Sequence, residues 1–262
     1  MIDLHSHILP GLDDGCKTLE ETVEMARIYQ MAGFHAVVAT PHYLRGTSWC
    51  PDPLTILQRV DEVNRALLEQ EIKLRVIAGM EIGMDPAIAE FLYEKKLLTL
   101  GESSYVLIEV PFQQLPLGYD QMLFDVIAHE YRVILAHPER CEQLMREPER
   151  FQQLLNIGSL IQIDWGSLLG HHGVKSARLT KELLLGGYVH CLATDSHDLE
   201  YRSPKMVRKG MEMLKKMIGE EKAHILAVEN PERLLNSETL NLPLPDKPMI
   251  KKAWIKRLFP WR

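Results

Sequence analysis

Residues 2–7 read Ile2-Asp3-Leu4-His5-Ser6-His7, a run of strand length that finishes on two histidines two positions apart. On a strand, positions i and i+2 project to the same side, so His5 and His7 can hold one ion together. The pattern recurs far downstream. Residues 191–194 form another apolar run, followed by Asp195-Ser196-His197, a second i, i+2 pair of ligand types. Five more runs of strand length lie between, at residues 35–39, 75–81, 105–110, 132–136 and 160–164. Several carry Val and Ile on both faces (VVAT, RVIAGM, YVLIEV, RVILAH), as parallel strands covered on both sides require.

Segments of helical period separate the runs. Thr18 and Glu21 form a capping box ahead of Val23, Met25, Ala26, Ile28 and Tyr29, and Gly33 follows as a stop. Leu57, Val60, Val63 and Leu67 recur at helical spacing within residues 54–70. Further helices are predicted from Pro86 toward Lys96, from Tyr119 toward Glu130, over residues 142–156, 175–185 and 205–217, and from Asn230-Pro231. Seven strands each followed by a helix predict an α/β fold with a parallel, closed or nearly closed barrel. A doubly wound open sheet is the alternative. Residues 1–240 read as one domain, a size usual for such barrels.

Composition narrows the function. With 46% apolar residues in 262, the chain can bury a large core. A net charge of −6 argues against general affinity for nucleic acid or anionic membranes. A phosphate-bearing substrate would therefore need a locally positive site, which bound metal ions can supply. Cys16, Cys50, Cys141 and Cys191 are too scattered for a disulfide framework or a zinc knuckle. The start MIDLHSH lacks a basic region and a long apolar run, and no stretch approaches the ~20 apolar residues of a membrane span. A cytoplasmic protein is expected. Residues 241–262 differ: this Pro-containing tail is basic, and Ile250, Trp254, Leu258 and Phe259 recur at helical spacing. It reads equally well as a helix packed on the barrel wall or as a contact for a membrane or partner.

Parallel α/β folds collect functional groups at the C-terminal ends of their strands. Read in order, those ends are His5-Ser6-His7, Thr40-Pro41-His42, Glu81, Glu109, His137 and Asp195-Ser196-His197. Imidazole with carboxylate suits zinc, iron or manganese, and carboxylates can bridge two ions. Asp13 and Asp14 follow His7 in LPGLDDG, and Asp14 is the favoured further ligand. His35, His129, His171, His172, His190 and His224 end no strand and read as structural or surface residues. Arg140, in His137-Pro138-Glu139-Arg140, and Arg202 follow ligands closely, and guanidinium matches phosphate oxygens in bidentate fashion. A cysteine phosphatase is rejected: His190-Cys191 opens an HC-x5-R pattern, but the arginine position holds His197.

The motifs DLHSH, ATPH, Glu81, HPER and TDSH resemble, in order, those of the PHP (polymerase and histidinol phosphatase) superfamily of metal-dependent phosphoesterases. The longer pattern HSHILPGLDDG, TPHYLRG, IAGMEI, IEVPF, HPER, DWGSLLG and TDSHDLEYR is similar to one subgroup, the manganese-dependent protein-tyrosine phosphatases encoded with bacterial capsular or exopolysaccharide genes. The resemblance implies a distorted seven-stranded (β/α)7 barrel of the PHP type. It implies three Mn2+ positions: His5, His7, Glu81 and Asp195; then Glu81, Glu109 and His137; then Asp14, His42 and His197. It places substrate binding and catalysis on Arg140 and Arg202, with a metal-bridging hydroxide attacking phosphorus in line. The implied substrate is phosphotyrosine on a membrane-associated bacterial tyrosine kinase, which would put the protein near the inner face of the membrane. Competing readings are a histidinol-phosphate or small phosphomonoester phosphatase and a metal-dependent amidohydrolase. The last class often bridges its metals with a lysine at strand four, where this chain has Glu109. A metal-binding regulatory module docking through the basic tail is the non-enzyme reading.

Overall fold

Strands form where Val and Ile are densest. In the computed structural model, which describes residues 1–240 and Pro245, the order is β1 (Ile2–Ser6), α1 (Leu19–Met31), β2 (Ala36–Ala39), β3 (His42–Tyr43), α2 (Pro53–Glu69), β4 (Arg75–Ala78), β5 (Glu81–Gly83) and α3 (Ile88–Tyr93). It continues with β6 (Tyr105–Glu109), α4 (Tyr119–Ala128), β7 (Arg132–Ala136), α5 (Glu142–Arg146), α6 (Arg150–Ile157), β8 (Leu160–Asp164) and α7 (Trp165–Leu169). Last come α8 (Gly173–Gly186), β9 (Cys191–Ala193), α9 (Val207–Ile218), α10 (Glu220–His224) and α11 (Asn230–Leu235). The amphipathic reading of the tail over residues 241–262 lies outside the described residues, Pro245 apart.

Every strand pairing is parallel: β1 with β2, β2 with β4, β3 with β5, and then β5 through β9 in sequence. One of the seven expected strands, residues 75–81, is divided into β4 and β5, and the one expected at residues 35–39 resumes after a break as β3. The break between β2 and β3 falls at Pro41, which has no N–H to donate to a ladder. The break between β4 and β5 falls beside Gly79, where an added Cβ would lie 2.6 Å from the Val38 side chain. A bond from Glu81 N–H to Pro41 O (3.1 Å) carries the register across both gaps. The ring then closes, and the open-sheet alternative falls. Asp195 N–H donates to His5 O (3.0 Å) and His7 N–H to Ser196 O (2.9 Å), tying the last strand region to the first.

Beneath that closure, Asp3 is a buried clamp. One carboxylate oxygen accepts Thr194 N–H (3.0 Å), and the other accepts the hydroxyls of Tyr29 (2.7 Å) and Thr194 (2.5 Å). Three segments differ from expectation. The segment expected over residues 142–156 is split into α5 and α6 around Pro148, and residues 165–169 and 220–229 are helical where no helix was expected.

Alternation along the strands positions the site. Ile2, Leu4, Ala36, Val38, Tyr105, Leu107, Ile134, Ala136 and Cys191 fill the lower barrel, with Ile77 and Leu160 against them. Val37, Ala39, Val106, Ile108, Val133, Leu135, Ile161, Ile163 and Leu192 face the helices. With a period of two, the inward face continues upward through His42, Glu81, Glu109, Gln162, Asp164 and Asp195. Two ligand types need a change of parity. On β1 the register with β2 shifts between Asp3 and Ser6, and after β7 His137 adopts φ 35°.

His190 belongs to this frame. Its Nδ1 accepts Ile161 N–H (3.0 Å), and burial pushes the imidazole down to about 4. The unfolded chain, with its histidine near 6.5, then binds the extra proton between those values, so stability is lost as pH falls through that window. Between pH 7 and 5 this group should cost about 2 kcal/mol. Urea unfolding of metal-free protein at the two pH values checks it, with His190→Asn expected to flatten the dependence. Equal pH dependence in parent and variant would refute the assignment.

Candidate metal centre

The upper rim brings together all nine residues singled out as ligands. His5, His7, Glu81, His137 and Asp195 are almost completely buried, His42 and His197 nearly so, and Asp14 lies at the solvent edge. Four donor atoms form a compact cage. His5 Nε2 and His7 Nε2 stand 3.2 Å apart. Glu81 Oε2 lies 3.3 and 3.4 Å from them, and Asp195 Oδ1 3.4 and 3.3 Å. In each of the two triangles that His5 and His7 make, one with Glu81 and one with Asp195, edges of about 3.3 Å leave a point about 2.0 Å from all three donors, the reach of a transition metal to imidazole nitrogen or carboxylate oxygen.

The tautomers fit the same purpose. His5 Nδ1 faces Gln162 Oε1 at 3.1 Å and His7 Nδ1 faces Asp13 Oδ2 at 2.7 Å. Both partners accept, so each ring places its proton on Nδ1 and turns an Nε2 lone pair to the cage. Four electron-rich atoms therefore converge, a disposition that calls for a cation. Without one, protons answer the call. Burial would lower His5, yet Glu81 and Asp195 outweigh it and raise the imidazole to about 9. His7 is likewise driven upward against burial, chiefly by Asp13. Burial opposes charge on Glu81 and Asp195, but the neighbouring histidines, with Arg202 beside Asp195, hold both carboxyls well below their ordinary range.

Further donors extend the cage on two sides. His137 Nε2 lies 3.0 Å from Glu81 Oε1, and His42 Nδ1 lies 2.9 Å from Glu81 Oε2 and 3.7 Å from Glu109. Asp14 Oδ1 is 3.2 Å from His197 Nε2 and 3.6 Å from His42 Nε2. The atoms fall into four overlapping groups able to hold a metal: His7, Asp14, His42 and His197; His5, His7 and Glu81; His5, His137 and Asp195; His42, Glu81 and Glu109. The backbone is strained where it presents two of them, with His137 at φ 35° and Asp195 at φ 49°.

Both arginines reach the cluster. Arg140 Nη1 bonds Asp195 Oδ2 (2.8 Å) and Asp164 Oδ2 (3.3 Å), and Arg202 Nη2 bonds the same Asp195 oxygen. Arg202 Nε has no hydrogen-bond partner among the described residues, which leaves a buried donor to spend on a ligand. Cys191 and Cys141, the two cysteines placed like a phosphatase nucleophile, offer no rival chemistry. Cys191 lies at the barrel floor, where burial pushes its thiol up, and Cys141 is raised the same way.

Several site residues escape the reading of strand ends. Asp13 is tied to His7, accepts Gly15 N–H (2.9 Å) and accepts His42 N–H (3.0 Å), so one carboxylate aligns two ligand types and their loop. Gly15 permits this packing, since a Cβ there would lie 2.0 Å from His7 O. Asp164 accepts from Arg140 and from Gln162 (3.1 Å), and its N–H is held by Glu139 (3.0 Å). His172, expected to be structural, stands 3.7 Å from Asp164 and is pushed down to about 3 by burial and Arg140. Gln162 and Asp164 carried a signal: they occupy i, i+2 positions at a strand end. Asp13→Ala is expected to weaken metal binding about 10–100-fold, while Asp13→Asn, whose carbonyl still accepts from His7, recovers part of it. Metal titration by calorimetry checks this, and unaltered affinity in Asp13→Ala would count against the lock.

Residues 1–236 match the family described as capsular polysaccharide synthesis, CpsB/CapC. The chain belongs to that family. Tyrosine-protein phosphatase YwqE of Bacillus subtilis (strain 168) is 32% identical over 240 residues, covering 92% of this chain and 93% of the relative. Tyrosine-protein phosphatase CpsB of Streptococcus pneumoniae is 28% identical over 249 residues, 92% of this chain and 100% of the relative. A solved structure from work on YwqE and CpsB as unique metal-dependent tyrosine phosphatases superposes with a TM-score of 0.90 at 32% identity, covering 95% of this chain and 100% of that one. As a CpsB/CapC member the chain shares their barrel, and among the described residues no helix is long and apolar enough to cross a membrane.

Proposed function

We propose that this chain is a metal-dependent protein-tyrosine phosphatase acting on phosphotyrosine of a membrane-associated bacterial tyrosine kinase that serves capsule or exopolysaccharide synthesis. The observation that carries the chemistry is the cage of two imidazole lone pairs and two carboxylate oxygens, with two guanidinium groups meeting on the outer oxygen of Asp195. The family relatives support the substrate class, being tyrosine-protein phosphatases by name.

In this reading His5, His7, Glu81 and Asp195 hold one divalent cation, Glu81, Glu109 and His137 a second, and Asp14, His42 and His197 a third, with manganese the preferred ion. Such ions supply Lewis acidity toward the phosphoryl oxygens and make water nucleophilic near neutral pH. The chain's own groups do the rest. Arg140 and Arg202 bind the equatorial oxygens of the phosphate and neutralise charge as it shifts during in-line displacement. Asp195 fixes both arginines at a common point, so the two forks arrive already oriented. Asp13 and Gln162 keep the His7 and His5 rings in the tautomer that faces the centre. A tyrosyl leaving group, with a pKa of about 10, departs with less protonation than an alkyl alcohol needs, so no dedicated general acid is required.

Metal-depleted protein reloaded with Mn2+ should release phosphate from a phosphotyrosyl peptide faster than from histidinol phosphate, and should leave an amide substrate intact. Preference for histidinol phosphate would transfer the site to small phosphomonoesters. Amide hydrolysis without phosphate release would sink the phosphatase reading altogether.

A further inference from the structure

Phe112 occupies the loop after β6 with 47% of its surface exposed, although an aromatic ring of this size gains most from burial. Its ring is nevertheless anchored. It stacks on the His137 imidazole at 5.8 Å between centroids, with planes 28° apart, and the Arg140 guanidinium carbon stands 4.6 Å from its centre. The main chain is held too: Phe112 O accepts Glu142 N–H (2.7 Å) and Gln113 O accepts Gln143 N–H (3.1 Å), which ties this loop to the one bearing Arg140. Trp49 also lines the cluster, parallel to His42 at 5.3 Å, but among the described residues no arginine lies over its ring. An exposed aromatic surface is therefore fixed beside the group that binds phosphate in the proposed function, on which this inference rests.

We infer that Phe112 is the wall against which the aryl ring of a phosphate monoester packs, and that it makes the site prefer aryl to alkyl esters. One face of Arg140 is covered by Phe112, so phosphate meets the guanidinium by its nitrogen-bearing edge. The ester substituent then passes beside the uncovered part of the Phe112 ring. An aryl group there gains an offset-stacked or edge-to-face contact in addition to its buried area, worth about tenfold in binding. A short alkyl group gains neither. Pinning the ring in advance also spares the cost of ordering it when the ligand arrives.

Calorimetry on Mn2+-loaded protein with phenylphosphonate and methylphosphonate tests this without turnover. The parent should bind the phenyl compound about tenfold more tightly. Phe112→Ala should bring the two close to parity while leaving methylphosphonate affinity unchanged, and Phe112→Trp should restore the preference. An unchanged ratio in Phe112→Ala overturns the inference. So does equal weakening of both ligands, which would make Phe112 a prop for Arg140, and so does a parent that binds both alike or neither. If the phenyl preference and its loss are seen but no phosphoester is hydrolysed, the phosphatase reading fails and this one stands.

Discussion

Glu81→Gln is expected to lower phosphate release roughly a thousandfold or more, the scale on which preorganised charge at a reacting centre acts. Four imidazoles of the cluster share this one side chain. Glu81 Oε2 lies within 3.4 Å of His5, His7 and His42, and Oε1 lies 3.0 Å from His137. The side chain is fully buried, and Oε2 makes no hydrogen bond among the described residues. Glutamine preserves its volume but removes the charge, and its NH2 group would face imidazole nitrogens that here meet an acceptor. Metal content per chain after equilibrium dialysis should fall together with turnover. A variant that keeps its full metal complement and parental turnover would remove Glu81 from the centre.

Arg140→Lys should reduce kcat/KM about 100–1,000-fold while metal content stays at the parental level. The lysine keeps a positive charge beside Asp164 and Asp195, so those buried carboxylates are not left without a partner. What disappears is the planar fork, which can serve aspartate and a phosphate oxygen at once. The separation of turnover from metal content is the informative part. A lysine variant as fast as the parent would show that charge alone suffices there and that the fork has no role in the reaction. A variant depleted of metal would instead assign Arg140 to holding Asp195 in place.

All the candidate ligands but Asp14 lie at strand ends, which residue type and alternation suffice to find. His5 with His7 and Asp195 with His197 announce themselves by spacing alone. Asp13 and Asp14 could not be separated in that way. Which carboxylate turns inward depends on how closely the loop packs on His7 at Gly15, a tertiary contact that adjacent identical residues do not encode. The division of two staves had a partial signal in Pro41, whereas the register change on β1 that brings His5 inward is visible only once β2 is beside it. His172 approaches Asp164 from the residue before α8, where no rule about strand ends applies.

Closure of the barrel has a consequence for how the protein is made. His5 and His7 leave the ribosome roughly 190 positions before Thr194, Asp195 and Ser196, which seal their strand. Contacts so distant in sequence form late and slow the search for the native state. A nascent chain therefore carries seven of the nine candidate ligands before Asp195 and His197 arrive with the last stave to complete the cluster.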